Sequence, residues 1–457
     1  MFKKLSISGF KLFLAGEGLS VETGREFVLA AFLGLVVGLL TSAFHWMMDA
    51  GDFVSFVVDA LQEGESGFFH DWGRWILVVT PAVGAVAGAV LINTFSHSRA
   101  ARGTDSVIWA YHRKGAHISS TVVPIKSTAS VLTVGLGGSA GYEGPMTLIG
   151  AATGSTIARV LKLEPRMKRL LAAAGLAAGI GALFRAPLAG AIFGAEIFYS
   201  SSDMEYETIL PGLVASTIAY TVFCFFWGWD PLLPMPTYKF AKGLNLLPYL
   251  ALAVIVTIGS RFYMDFFRAT EEFFSRLKLP FWTKAAIGGL GTGVIGFFLP
   301  EVLGVGYKVV SCAFTTHDPF ETGDILGFSA GAFVLFFFAK VLATSLTVGS
   351  GGSGGVFAPA LVCGASLGAA VGIFFQHCLP AGAGINPGAF ALVGMAAFTA
   401  AAIRIPLTAI IMVSEISGNH ELLIPTMWVS SIAFWLNNGW SLYRSQIHDR
   451  SGSPLHP

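Results

Sequence analysis

Charged residues are scarce in this 457-residue chain, at 12% of positions, about half the roughly 25% usual in a soluble domain. That shortage excludes a large water-soluble helical fold, whose helices need charged outer faces. The 28 Lys and Arg nearly cancel the 27 Asp and Glu to a net +1. No basic tract occurs, so nothing points to nucleic acid or another polyanion. Cysteine is equally sparse. Cys224, Cys312, Cys363 and Cys378 form no CxxC pair and lie in apolar surroundings, so neither a metal site nor a disulfide framework is expected, and no cofactor is implied. The N-terminus carries Lys3, Lys4 and Lys11, but its apolar run FKLFLAG is too short for the core of a signal peptide. Residues 1–19 read as a cytoplasmic leader from which nothing is removed.

What the chain has instead is apolar length. Hydrophobic residues make up 54% of it and its mean hydropathy is +0.68. Stretches approaching the roughly 20 residues that cross a bilayer occur at 26–48, 75–95, 208–227, 248–262 and 325–348. With the shorter ones between, the pattern predicts an all-α polytopic membrane protein of some 14 to 18 helices, several too short to span. Arg99, Arg102, Arg113 and Lys114 fall in one loop, and Asp59, Glu63, Glu65 and Asp71 in another. The positive-inside rule puts the first in the cytoplasm and the second outside. His45, His317, His377 and His420 show no ligand spacing and read as interfacial. Phe336 to Phe338, Trp227 and Trp229 read as lipid-facing or belt aromatics, and Lys126 and Lys340 as snorkelling side chains.

The chain also repeats itself. TVGLGGSAGYEGPMTLIGAATG (133–154) matches TVGSGGSGGVFAPALVCGASLG (347–368) at eleven of 22 positions without gaps, an offset of 214 residues. A second pair follows in the same order. Residues 175–197 match 394–416 at ten of 23 positions, with Arg185, Pro187 and Glu196 in register with Arg404, Pro406 and Glu415. Arg, Pro and Glu in register are not a by-product of apolar composition, so the chain is a fused duplication, with halves at 20–235 and 236–445 and a cytoplasmic tail at 446–457. Such proteins usually hold their substrate where the repeats meet. The residues leave open whether the two halves are parallel or inverted.

Each glycine-rich run is followed by a proline suited to a first helical turn and then by an apolar helix. In a membrane, non-helical backbone is tolerated only where protein buries it or it lines a cavity. The pattern therefore predicts two helices that begin inside the membrane and offer free N–H groups to an anion, with Gly141 and Gly144 flanking the first start. Glu143 lies at that start. There the same amides can cradle its carboxylate, which competes with a permeating anion when ionised and leaves when protonated. The plainer alternative is a helix cap; the cost of a charge in a membrane, about 2.5 to 3.5 kcal/mol, favours a functional site.

GYEGP (141–145), GSGGSGGVFAPAL (349–361), FRAPLAGAIFGAEI (184–197) and Tyr443 in GWSLYRSQI are similar, in order, to the motifs of the CLC chloride channel and transporter family. The resemblance spans nearly the whole chain. It implies an inverted repeat of about 18 helices with both termini cytoplasmic, a homodimer with one pore per subunit, and residence in a bacterial inner membrane. It further implies that Glu143 gates and accepts protons, that Val356 and Phe357 offer backbone N–H groups to chloride or a similar monovalent anion, and that the Tyr443 hydroxyl is a donor at the inner constriction. The compact bacterial form favours chloride–proton antiport, with a passive pH-gated chloride channel as the alternative.

Three departures from that family accompany the resemblance. ARGTD (101–105) replaces the family's serine motif, leaving Arg102, Gly103 and Thr104 as candidates for the inner anion site, with Arg102 equally able to belong to the basic loop. Tyr142 replaces a basic residue. Ile197, beside Glu196, replaces the second of a glutamate pair that relays protons from inside in many antiporters. Glu196, Glu205 and Glu207 are then the candidate inner relays, Glu196 with a structural alternative and the other two with a solvated one. GGSAG (137–141) and GGSGG (351–355) also fit the G-x-S-x-G nucleophile elbow. That motif needs a preceding strand and a histidine base, and its occurrence once per half speaks against a catalytic Ser139. A cation transporter would place carboxylates at carbonyl-rich helix C-termini, whereas Glu143 opens a helix. No enzyme activity is expected.

Overall fold

The protein is described by a computed structural model covering residues 21–62, 68–95, 103–238, 246–315, 328–380 and 384–455. Among these residues the chain is helical, its only β contacts being two isolated bridges. In the first half the helices are α1 (Val21–Ala50), α2 (Phe53–Gln62), α3 (Phe68–Phe95), α4 (Thr104–Arg113), α5 (Val122–Gly135), α6 (Glu143–Val160), α7 (Pro165–Leu183), α8 (Pro187–Glu196) and α9 (Ile209–Trp227). The second half has α10 (Leu246–Arg276), α11 (Phe281–Phe298), α12 (Tyr307–Thr315), α13 (Ala330–Gly349), α14 (Phe357–Cys378), α15 (Pro387–Ile403), α16 (Pro406–Ser417) and α17 (Leu423–Leu436). Seventeen α-helices are thus seen among the described residues where about 18 helices were expected, and the leader at 1–19 lies outside them.

Among the described residues, six helices are long and apolar enough to cross a membrane: α1, α3, α9, α10, α13 and α14. Five correspond to the apolar stretches read from sequence. The sixth, α14, is 94% buried along its apolar window, so it runs through the protein interior. α4, α8, α12 and α16, with 10, 10, 9 and 12 residues, are too short to cross at 1.5 Å per residue.

Contacts between the halves are reciprocal. Gly141 and Gly355 exchange both backbone hydrogen bonds at 2.8 Å. Ser139 N–H donates to Thr347 Oγ1 at 3.1 Å, and its repeat equivalent Ser353 N–H donates to Thr133 Oγ1 at 3.2 Å. Where residue i meets j′ and j meets i′, the two units are related by a two-fold axis. The direction of that axis follows from a pair of arginines. Arg185 and Arg404 both end a helix in the left-handed region, with φ of 53° and 67°. Arg185 donates to the carbonyl of Trp227, the last residue of α9, whereas Arg404 donates to that of Ser200, ahead of its start. Equivalent residues therefore lie toward opposite ends of a span about 28 Å long. The halves are inverted, which settles the choice the residues alone left open.

Glycine makes the close packing feasible. A Cβ at Gly150 of α6 would fall 2.0 Å from the Gly175 carbonyl of α7, and at the equivalent Gly364 of α14, 2.5 Å from that of Gly394 of α15. Helix pairs can approach this closely only where side chains are absent. Two aromatics read as lipid-facing or belt residues are buried: Phe336 and Phe337 face the core, while Phe338 and Trp229 are exposed. Lys340 does not snorkel. It is 0% exposed and donates to the carbonyls of Val302 and Gly304, both at 2.8 Å, because an ammonium without access to water needs acceptors. Trp227 packs edge-on against His45 at 4.4 Å between ring centroids. His317 lies outside the described residues.

Candidate functional site

α6 and α14 begin face to face. The Gly141–Gly355 bridge clamps the segments just ahead of them, and a Cβ on Gly144 would fall 3.1 Å from Gly355 Cα. Neither start is capped by its N-cap side chain, that of Tyr142 or Val356. The first-turn amides of both helices therefore remain available at one point deep in the protein, where the helix dipoles favour negative charge. The Val356 carbonyl is turned away and held by the hydroxyl of Tyr263 on α10 at 3.1 Å.

Glu143 occupies that point. It is 0% exposed, and its Oε1 accepts the Phe357 N–H at 2.6 Å across the repeat boundary. The Ala358 amide interacts with the same carboxylate. Oε2 has no hydrogen-bond partner in the described residues. A carboxylate held by amides of the opposite half is not the cap of its own helix, and the fit leaves no room for a side chain beside it. A Cβ on Gly141 would lie 1.9 Å from Oε2 and one on Gly355 2.0 Å from Oε1. Amides that hold a carboxylate oxygen can hold a monovalent anion in its place once the acid is protonated and moves off.

Below the carboxylate lies a cavity of about 270 Å³, lined in part by Gly103, Thr104, Asp105, Gly144, Tyr443 and the glycine-rich loop 351–355. Lys126, Arg268, Lys284 and Arg444 also line it, against Asp105 and Glu271, a net positive wall suited to drawing in anions. Thr104 opens α4, and Gly103 before it has φ of 57°; a Cβ added there would fall 2.9 Å from Gly144 Cα. The Thr104 and Thr147 hydroxyls are 3.0 Å apart, and Thr147 Oγ1 donates to the Gly144 carbonyl at 2.8 Å. The Tyr443 phenol interacts with Thr104. Thr104 and Tyr443 thus face each other in the wall of this cavity, while Arg102 lies outside the described residues.

The three candidate relays separate cleanly. Glu196 accepts from Leu407 N–H at 3.0 Å and from Thr408 N–H and hydroxyl at 2.8 and 2.6 Å. Its equivalent Glu415 accepts from Leu188 and Ala189 N–H at 3.2 and 2.8 Å. Each caps a short helix of the other half. Glu207 is an exposed partner of Arg166 at 3.2 Å. Glu205 is 3% exposed, accepts the Tyr199 hydroxyl and lies 3.7 Å from Arg450. Ile197 is fully buried, its carbonyl accepting the Gln446 amide at 2.9 Å.

Ser139 is buried and shares a hydrogen bond with Thr344 at 3.0 Å, as the equivalent Ser353 does with Ser130 at 2.9 Å. These serines join the halves, and neither hydrogen-bonds a histidine among the described residues. No cluster of metal-ligating side chains occurs among the described residues. Tyr263 and Thr147 lie in apolar helices and Tyr199 in the bridge segment after α8; all three belong to the site's surroundings, and none occupies a position whose residue type marks it in the sequence.

A model of the voltage gated chloride channel family matches residues 83–438. A protein of Ralstonia nicotianae, described as chloride channel protein ClcB-like, is 31% identical over 357 residues, 77% of this chain and 80% of its own. The H(+)/Cl(-) exchange transporter ClcA of Yersinia pestis is 32% identical over 413 residues, 87% of this chain and 81% of its own. The crystal structure of a slow cyanobacterial Cl-/H+ antiporter superimposes with a TM-score of 0.80 at 23% identity, covering 92% of this chain and 96% of that one.

Proposed function

This chain belongs to the voltage gated chloride channel (CLC) family, and from that premise we propose that it exchanges chloride for protons across a membrane. The observation that carries the proposal is the Glu143 carboxylate on the Phe357 amide. Ionised, it fills the place an anion would take. Protonated, it loses the charge that holds it there, and chloride enters in its stead. One residue thereby alternates between carrying a proton and admitting an anion, which is the elementary requirement for exchange.

Glu143 is the gate and outer proton acceptor; the first-turn amides at Gly144, Phe357 and Ala358, beside Gly141 and Val356, form the central anion site; Tyr443 and Thr104, with Gly103 allowing the close approach, form the inner gate. Protons reach the site from the cytoplasm by way of Glu205. Its burial and its bond with Tyr199 support this, since Glu196 is committed to a helix cap and Glu207 to surface ion pairs. The protein sits in a bacterial inner membrane as a homodimer, with both termini cytoplasmic. The dimer is tested by cross-linking in native membranes.

A passive, pH-gated chloride channel is the second reading, favoured by the apolar Ile197 at the position of the family's inner relay. Reconstituted vesicles distinguish the two. A chloride gradient drives protons uphill in an exchanger, whereas chloride flux without proton movement identifies a channel.

A further inference from the structure

Asp105 departs from the family's serine motif, and its carboxylate is fully engaged. Oδ1 accepts the Ser445 N–H and Oδ2 the Ser445 hydroxyl, both at 2.9 Å. Asp105 follows Thr104 in the first turn of α4, and Ser445 lies two residues beyond Tyr443. We propose that Asp105 is the positioning residue of the inner anion gate, a bidentate clamp that ties the segment carrying Tyr443 to the helix start carrying Thr104. This rests on the assignment of those two hydroxyls to the gate.

The surrounding bonds show why a clamp is needed there. The Tyr443 segment is anchored elsewhere by Leu442 N–H on the Ala402 carbonyl at 2.8 Å, and by the Gln446 amide on the carbonyls of Ile197 and Ile403 at 2.9 and 3.1 Å. Those anchors belong to the C-terminal end of α8 and to α15. Apart from the facing Tyr443 and Thr104 hydroxyls themselves, a further tie of the segment to α4, His112 to Ser453 at 3.0 Å, lies about two helical turns from the gate. Without Asp105, Tyr443 and Thr104 would be held by different bodies, and a shift of one against the other would widen the constriction. An anion could then leave for the cytoplasm without waiting for Glu143, so more chloride would cross per proton.

The competing role for an acid in a first helical turn is electrostatic, through the helix dipole. Asp105→Asn separates the two. Its amide oxygen can still accept the Ser445 N–H and its NH2 can donate to the Ser445 hydroxyl, while the charge is gone. The experiment measures chloride and proton flux together in vesicles holding full-length Asp105→Asn, Asp105→Ala, Ser445→Ala or Tyr443→Ala protein. The clamp predicts a chloride-to-proton ratio raised severalfold in Asp105→Ala, raised less in Ser445→Ala, which keeps one of the two bonds, and restored in Asp105→Asn. Asp105→Asn matching Asp105→Ala overturns the clamp in favour of charge. Should Asp105→Ala fail to fold, an unchanged ratio in Ser445→Ala overturns it equally. A ratio raised in Tyr443→Ala but unchanged in the Asp105 and Ser445 variants rejects the clamp and keeps the gate. A ratio unchanged in Tyr443→Ala rejects the gate and the clamp with it.

Discussion

Gly141 and Gly355 exchange a reciprocal pair of 2.8 Å backbone hydrogen bonds, and they occupy equivalent positions of the two repeats. The two-fold axis relating the halves therefore passes between them, and the helix starts that follow are aimed at each other by symmetry. Glu143 exists in only one half; its equivalent is Phe357. The duplication thus supplies two amide sites, and a single substitution between the halves supplies the acid that competes for them.

Gly141→Ala brings a methyl group to within 1.9 Å of Glu143 Oε2. The methyl would also meet Ala358 Cβ at 2.8 Å, which a small backbone shift relieves, but the carboxylate is the more movable partner, so the variant should fold with Glu143 pushed off the Phe357 amide. Proton flux coupled to chloride should fall at least about tenfold, equivalent to about 1.4 kcal/mol, while chloride still passes. Paired ion-flux recordings check this, and normal coupling in a folded Gly141→Ala protein would contradict the steric account.

Glu196→Gln and Glu415→Gln should lower stability and leave coupling intact. Each carboxylate accepts two amides at a helix start in the other half, and losing a charge there costs on the order of 1 kcal/mol. Thermal unfolding in detergent should show a similar drop for both, since they are symmetry equivalents. A coupling defect in Glu196→Gln alone would return that residue to the proton route.

Glu205→Gln should abolish proton movement and spare chloride flux. Glu207→Gln, altering the ion pair with Arg166 at 3.2 Å and a longer one with Arg450 at 4.0 Å while leaving Arg450 to Glu205, should change neither. Vesicle pH recorded during chloride efflux decides between them, and persistent proton pumping in Glu205→Gln would send the inner route elsewhere.

Tyr443→Phe should weaken chloride binding by roughly tenfold, the scale of one hydrogen bond to a charged partner. Thr104→Val should do less, because with the Thr147 proton directed at the Gly144 carbonyl, the Thr104 proton is the one shared between the two hydroxyls. Isothermal titration with chloride checks the order of the two effects.

Much of this architecture was legible in the sequence because duplication leaves paired signals. The offset of 214 residues that aligns Gly141 with Gly355 also pairs the residues found in reciprocal hydrogen bonds, and an acid among glycines in an apolar chain marked Glu143 as costly and therefore used. Depth and partners were not legible. Lys340 and Phe336 look the same in sequence whether they face lipid or core, since a helix apolar all round carries no amphipathic stripe to orient it. The Asp105–Ser445 clamp joins positions 340 residues apart and has no repeat counterpart among the described residues. The relays showed the same limit, for only the contacts separate the cap at Glu196 from the buried Glu205.

The most direct test of the account is proton movement in Glu143→Gln vesicles under a chloride gradient. A neutral amide cannot carry the proton or match the ionised carboxylate on the Phe357 N–H, so chloride flux should persist without its pH dependence and uphill proton movement should vanish. Proton pumping that survives in Glu143→Gln, or chloride flux that keeps the unmodified protein's dependence on pH, would contradict it.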